Sequence, residues 1–445
     1  MAVMGAVGLV ALALGGSVTP VSTVDTVDGV WRSDGYGQVV RVAGGALTTY
    51  DVTAVSCLPG SLTGTGDGTT FATSEGTVAT VRPRGRDHAS LSFDGDLGVR
   101  SLTRLPGLPA ACTTAPPTGA LSTFDVFWHS YAENYPFFAA KGVDWRAEGA
   151  AAREQVAAHP ERLYEILCGL ITPLHDAHVA LIAGGDHCSS PRPGTPDYPG
   201  DPALRKRIKD VTDANVGVPL QTWAGGAIAY ADLPGGTGYL RVTRFEGYTD
   251  TFAGDKAELD RALDAIFTAA RVHSLHGLVL DLRVNGGGAD PLGLEIASRL
   301  TDTPHFAYAK RARNDPDDPA RFTVPQPLFV RPAAGPRYTG PLAVLVGDLD
   351  VSAGETFTQA LLNRTPRPVL VGQNTQGVYS DTMGRTLPAP GWMAVVPNEE
   401  YLDPRGHTYD GTGIAPDVRT PVFTPEELAA GRDTGLATAR SLVTG

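Results

Sequence analysis

The chain has 445 residues, 42% of them hydrophobic and 19% charged. That is enough for two or three domains with at least one large core, and it excludes disordered and fibrous classes. A net charge of −12 leaves no general electrostatic footprint for nucleic acid, so nucleic acid is not an expected partner. Of 36 Lys and Arg residues only five are lysines (Lys141, Lys206, Lys209, Lys256, Lys310), and none follows Lys310. Any mechanism that needs a lysine base in the C-terminal third is thereby constrained.

Residues 1–25 contain an uncharged apolar stretch, Ala2 to Gly16, about as long as a signal-peptide core and shorter than the ~20 residues of a spanning helix. It predicts export to the cell envelope or medium, with a loose N-terminal arm as the alternative because no cation precedes it. No later segment is long and apolar enough to span a membrane. Residues 26–112 carry short alternating runs (VVRV, TVATVRP, ASLSF) between Gly and Asp turns, the pattern of a small antiparallel β domain. Residues 113–121, with TTAPPTG, read as a linker. Apolar residues at helical spacing then predict a helical region over 122–182, and Pro and Gly predict an irregular excursion over 183–215. Over 216–425 short β-branched runs alternate with amphipathic helices, which indicates an α/β domain with a largely parallel sheet whose ligands gather at the strands' carboxyl ends. Residues 426–445 are a C-terminal helix or tail.

Cys57, Cys112, Cys168 and Cys188 lack CxxC spacing, which argues against a zinc or redox motif. Two disulfides fit an exported chain. Pairing Cys57 with Cys112 and Cys168 with Cys188 is simplest, but three connectivities are open. No HExxH or clustered ligand spacing calls for a metal, and no cofactor is expected.

Three segments could carry chemistry. In Asp281-Leu-Arg-Val-Asn-Gly-Gly-Gly288 a strand runs into glycines whose amides can approach a ligand closely, although an ordinary turn gives the same pattern. In Asp348-Leu-Asp-Val-Ser-Ala-Gly-Glu355, Ser352 and Glu355 match the S-x-x-E capping box, and the same geometry suits a nucleophile at a helix start. Asp281 and Arg283 read as a structural ion pair, and Glu355 as a capping residue. In Leu174-His-Asp-Ala-His-Val179, His178 precedes an apolar run and is a candidate base, with His175 competing.

Together, D-L-R-x-N-x-G-G, S-A-x-E, VLVGQNTQG, GTGIAPDV and the preceding D-x-H-V resemble the S41 peptidases, the family of the C-terminal processing proteases and the tricorn core protease. The resemblance covers about Phe124 to Val418. It implies an α/β catalytic core with a ClpP/crotonase-like sheet and helices, preceded by the helical region and the small antiparallel β domain. It further implies Ser352 as nucleophile, the Ala353 amide as one half of an oxyanion hole, and Gly287 or Gly288 as the other half, with Asn285 supporting. The processing-protease lysine position reads Val378 in Thr375-Gln-Gly-Val378, so a Ser–Lys dyad requires Lys310 or an earlier lysine to fold back. The tricorn-like branch instead implies His178 as base, with Asp410 in the acidic position before GTGIAPDV and Glu400 as fallback. Ala177 departs from that branch, which has serine there. The expected activity is acyl-enzyme hydrolysis of peptide bonds in a peptide or protein substrate, by an endopeptidase or C-terminal processing peptidase. The alternatives are an inactive relative that binds peptides or apolar ligands and, less well matched, a crotonase-like acyl-CoA enzyme. Substrate preference, the role of the β domain and oligomeric state are not legible.

Overall fold

A computed structural model describes residues 27–195, 201–313, 315 and 318–444, so the export-signal stretch lies outside the described residues. Strands between Gly29 and Leu105 form a closed antiparallel barrel of eight strands. Alternation dictates it: in Ala46–Val52 every second side chain is buried, and the inward set, including Trp31, Val40, Leu47, Phe71, Val81 and Leu91, fills the barrel. The Cys57–Cys112 disulfide ties the barrel to the segment leaving it.

Helices Ala120–Asn134, Trp145–Ala158 and Leu163–Ile171 follow and pack around Phe127, Tyr131, Trp145 and Leu167. The helical region ends before His178. His175 adopts a left-handed conformation after Leu174, and Asp176–Ala183 is a strand paired with Asp186–Ser190, with Cys168–Cys188 bridging helix to hairpin. The VALI run that follows His178 is therefore a strand interior. The expected excursion over 183–215 also contains a helix, Pro202–Val216, capped by Asp201 and stopped by Gly217. Its apolar face, Ile208, Thr212 and Val216, is spaced four residues apart.

The core is a seven-stranded mixed sheet. Two antiparallel pairs lead into parallel strands Thr237–Val242, Gly277–Asp281, Leu342–Val346, Val369–Gly372 and Val418–Arg419. The central strands are buried on both faces, as parallel strands between helices must be. No helix of the described residues is long and apolar enough to cross a membrane.

Buried polar ties join barrel to core. Tyr36 donates to Glu399 at 2.5 Å, and Arg385 donates to the Tyr36 and Gly37 carbonyls and to Asp51. Lys310 pairs with Asp96 of the barrel at 2.7 Å and with Asp381 and Glu399 of the core at 2.8 and 3.0 Å. Each bond joins segments far apart in sequence, so the barrel is fixed in register against the core.

Candidate active site

The site forms where two parallel strands end. After Gly277–Asp281 the chain turns sharply, and that turn is held by charge. Arg283, 1% exposed, pairs with Asp281 and Asp433 at 2.7 Å each, and Tyr239 donates to Asp281 at 2.8 Å. The expected structural role of Asp281 and Arg283 is what the structure contains. Asn285, fully buried, then staples the loop: its Nδ2 donates to the Val242 carbonyl at 3.0 Å, and its own carbonyl accepts from Val351 at 2.9 Å.

Asn285 Oδ1 also accepts the Gly287 N–H at 2.9 Å. Of the two glycine amides expected to face an oxyanion, Gly287's is thus engaged. Gly288's makes no hydrogen bond among the described residues. Gly287 has a different function. At φ +82°, a Cβ on it would lie 2.6 Å from Ser352 Cβ, so glycine is what lets the loop press against the serine.

Ser352 follows Leu342–Val346 and opens the helix Ala353–Leu361, with φ +56°, a conformation costly for a non-glycine residue. The expected capping box is absent. Ser352 Oγ makes no cap bond, and Glu355 turns away to accept the amides of Gly377 and Val378, both at 2.7 Å. Because Glu355 fixes that turn, the Val378 carbonyl can accept the Ser352 N–H at 2.9 Å. Burial raises the Glu355 carboxyl to about 7 against the opposing pull of these amides. Ser352 Oγ is left free of hydrogen bonds among the described residues, and so is the Ala353 amide.

His178 and Ser352 line one cleft of about 710 Å³, with Gly286, Gly288, Ser380 and Asp381. No hydrogen bond joins them in this structure. The His178 amide donates to Asp176 Oδ1 at 2.9 Å, and Tyr135 donates to Asp176 Oδ2 at 2.9 Å, so the strand start is anchored by a carboxylate. Burial lowers the imidazole below its ordinary 6.5; Asp176, the Ser380 backbone and Asp381 oppose that shift. His178 Nδ1 is buried without a hydrogen-bond partner among the described residues.

Asp410 does not hydrogen-bond to His178. It accepts the Tyr379 N–H at 3.2 Å, its Oδ1 is buried and unpartnered among the described residues, and burial with neighbouring Asp176 holds it well above the carboxylate range. Asp176, the residue sequence reasoning left without a role, is the leading charge acting on both groups. Its signal was present: an acid two positions before the histidine shares its strand face. Glu400 is engaged elsewhere, by Arg311 at 2.6 Å.

Among the described residues no lysine lines the cleft. Val378 is buried, and Lys141 donates to the His175 carbonyl at 3.3 Å near Asp410 without lining the cleft. Lys310, 4% exposed, is caged by three carboxylates that hold its ammonium well above the usual lysine range. Lys310→Met strands the buried Glu399 and leaves the half-buried Asp96 and Asp381 unpaired beside it, and is expected to destabilise the protein by about 3 kcal/mol, read by denaturant unfolding.

Residues 236–420 match the model for peptidase family S41. Over that segment, less than half of its length, the chain is similar to peptidase family S41. Among curated proteins it is 27% identical over 239 residues to a chloroplastic C-terminal processing peptidase of Tetradesmus obliquus, covering 52% of this chain and 46% of that one. It is 30% identical over 184 residues to a carboxyl-terminal-processing protease of Picosynechococcus, covering 41% and 39%. The chain therefore spans less than half the length of those relatives. A crystal structure of a Parabacteroides merdae protein described as a peptidase superposes with a TM-score of 0.61 at 24% identity, over 74% of this chain and 98% of that one, a likeness of fold. The family match begins well after the barrel and after His178.

Proposed function

We propose that this chain is a serine endopeptidase or C-terminal processing peptidase in which Ser352 is the nucleophile and His178 the base. The observation that carries the reading is the serine itself: held at positive φ, with a free hydroxyl and an unengaged Ala353 amide after it, in a cleft shared with Gly288, whose amide is also unengaged, and with one imidazole. His178 takes the hydroxyl proton as Ser352 Oγ bonds to the peptide carbonyl, and the oxyanion is stabilised by the two amides. The imidazolium returns its proton to the leaving amine as the C–N bond breaks, and water activated by His178 hydrolyses the acyl-enzyme. Asp176 is the leading charge that favours the imidazolium, and Asp410 stands behind it, raised by burial and by Asp176. Two disulfides support export to an oxidising compartment, as the apolar N-terminal stretch suggested. An inactive binding relative has no use for an unengaged hydroxyl beside two free amides.

The test is cleavage of unstructured polypeptides by wild type, followed by mass spectrometry of the fragments; no cleavage under any condition in which the chain is folded sinks the reading. The pH profile adds a signed prediction. The base must be neutral, and burial makes protonation of His178 harder than in water. The acid limb of kcat/KM is therefore expected below the ordinary imidazole value of 6.5. A limb above 7 would contradict burial as the dominant influence.

A further inference from the structure

The cleft has a wall the S41 segment does not supply. Leu62, Glu75, Phe93 and Arg100 of the barrel line it, facing the core residues Glu246 and Asp250 and, deeper, Ser352. Resting on the peptidase reading above, we propose that the N-terminal barrel is the substrate-selecting wall of this cleft. The cleft takes polypeptide segments bearing a lysine or arginine side chain beside the bond to be cut.

Contact across the junction is close. A Cβ on Gly76 would lie 2.8 Å from the Asp250 carbonyl, and the Phe252 amide donates to the Gly76 carbonyl at 3.4 Å. With Lys310, Tyr36 and Arg385 fixing the barrel from below, the wall is a preorganised surface.

Charge then selects the ligand. Two lining carboxylates, Asp96 and Asp381, are matched by Lys310, and Asp255 is turned to the Thr249 amide at 2.6 Å. Glu75, Glu246 and Asp250 are exposed and their side chains have no ion pair or hydrogen bond among the described residues. Three unmatched like charges around one opening work against the fold alone, and a bound cation relieves them. Arg100, the one lining Lys or Arg among the described residues, is drawn back over the Tyr36 ring at 4.0 Å, near Asp96.

The wall also carries apolar surface. Leu62 and Phe93 suit the methylene stem of a long cationic side chain, whose charged end reaches the carboxylates at the rim. Glu246 sets the position of the recognised residue. A Cβ on Gly288 would lie 3.0 Å from Glu246 Cβ, so the Glu246 side chain starts against the loop that carries the amide assigned to the oxyanion.

Binding to full-length Ser352→Ala protein separates this inference from the peptidase reading, because it needs no turnover. Three fluorescent decapeptides identical except for a central Lys, Gln or Glu are titrated by anisotropy at low salt. The Lys peptide is expected to bind about tenfold tighter than the Glu peptide, with the gap shrinking at high salt. Glu75→Gln on the barrel, and separately Asp250→Asn on the core, should each narrow that gap about two- to threefold and leave the Gln peptide unchanged. Equal affinity for the Lys and Glu peptides overturns the proposal. A gap that survives Glu75→Gln while vanishing in Asp250→Asn removes the barrel from recognition and overturns it too. A charge preference in binding with no cleavage by wild type would leave this inference standing and sink the peptidase reading instead.

Discussion

Ser352→Ala is expected to lower peptide hydrolysis by on the order of 10⁴- to 10⁶-fold while leaving the fold intact. The hydroxyl makes no hydrogen bond among the described residues, so its removal orphans nothing and leaves no buried donor. The backbone at φ +56° is held from outside the side chain, by the Val378 carbonyl on the Ser352 amide and by the Asn285 carbonyl on the Val351 amide. Stability should therefore stay within about 0.5 kcal/mol of wild type by denaturant unfolding. A large drop in rate with an unchanged unfolding midpoint identifies a reacting group. A comparable drop in both would mean the residue is structural.

His178→Ala is expected to cost a similar factor, because nucleophile and base act as a unit and losing either disables the other. The readout should again separate rate from stability. The His178 side chain has a buried, unpartnered Nδ1, so removing the imidazole relieves one unsatisfied atom. The acids behind it should matter less. Asp410→Asn keeps the Tyr379 contact and changes a carboxyl whose charged form burial already disfavours, so its loss of rate should fall short of that of His178→Ala. Asp176→Asn tests the other member of the pair, and a loss exceeding that of Asp410→Asn would assign the orienting charge to Asp176. That outcome is consistent with Asp176 being the leading attraction felt by the imidazole.

Much of this was written in local sequence. Alternating runs gave an antiparallel β domain because inward and outward positions along a strand differ by one residue, while its closure into a barrel was not legible; of the three cysteine connectivities left open, the simplest is the one present. The strand ends at Asp281 and Ser352 were legible as strand-to-helix turns, but an ordinary turn and a helix cap leave the same local patterns, and only the ordered set of motifs singled them out. Glu355 was misread. Its spacing from Ser352 fits a cap, yet a fully buried carboxylate is better satisfied by two amides of a distant turn, and that turn is invisible in local sequence. The helix Pro202–Val216 was hidden by the Pro and Gly before it, although Asp201, Pro202 and Gly217 are ordinary start and stop signals. The choice between Gly287 and Gly288 could not be made from sequence, because it depends on which amide Asn285 captures. Nor could the barrel's place at the cleft be read, since it rests on contacts such as Lys310 with Asp96 between residues 214 positions apart.

The lysine count acquires its meaning here. The one lysine late enough to be considered is locked in a carboxylate cage with its charge fixed, and the position that would hold a lysine base is a buried valine. The account therefore depends on a histidine-activated serine. Its most direct test is site-resolved mass spectrometry after treatment with a fluorophosphonate probe. The predicted result is a single adduct on Ser352 in wild type, absent from Ser352→Ala and strongly reduced in folded His178→Ala. An adduct on another residue, or undiminished labelling of Ser352 without His178, would contradict it.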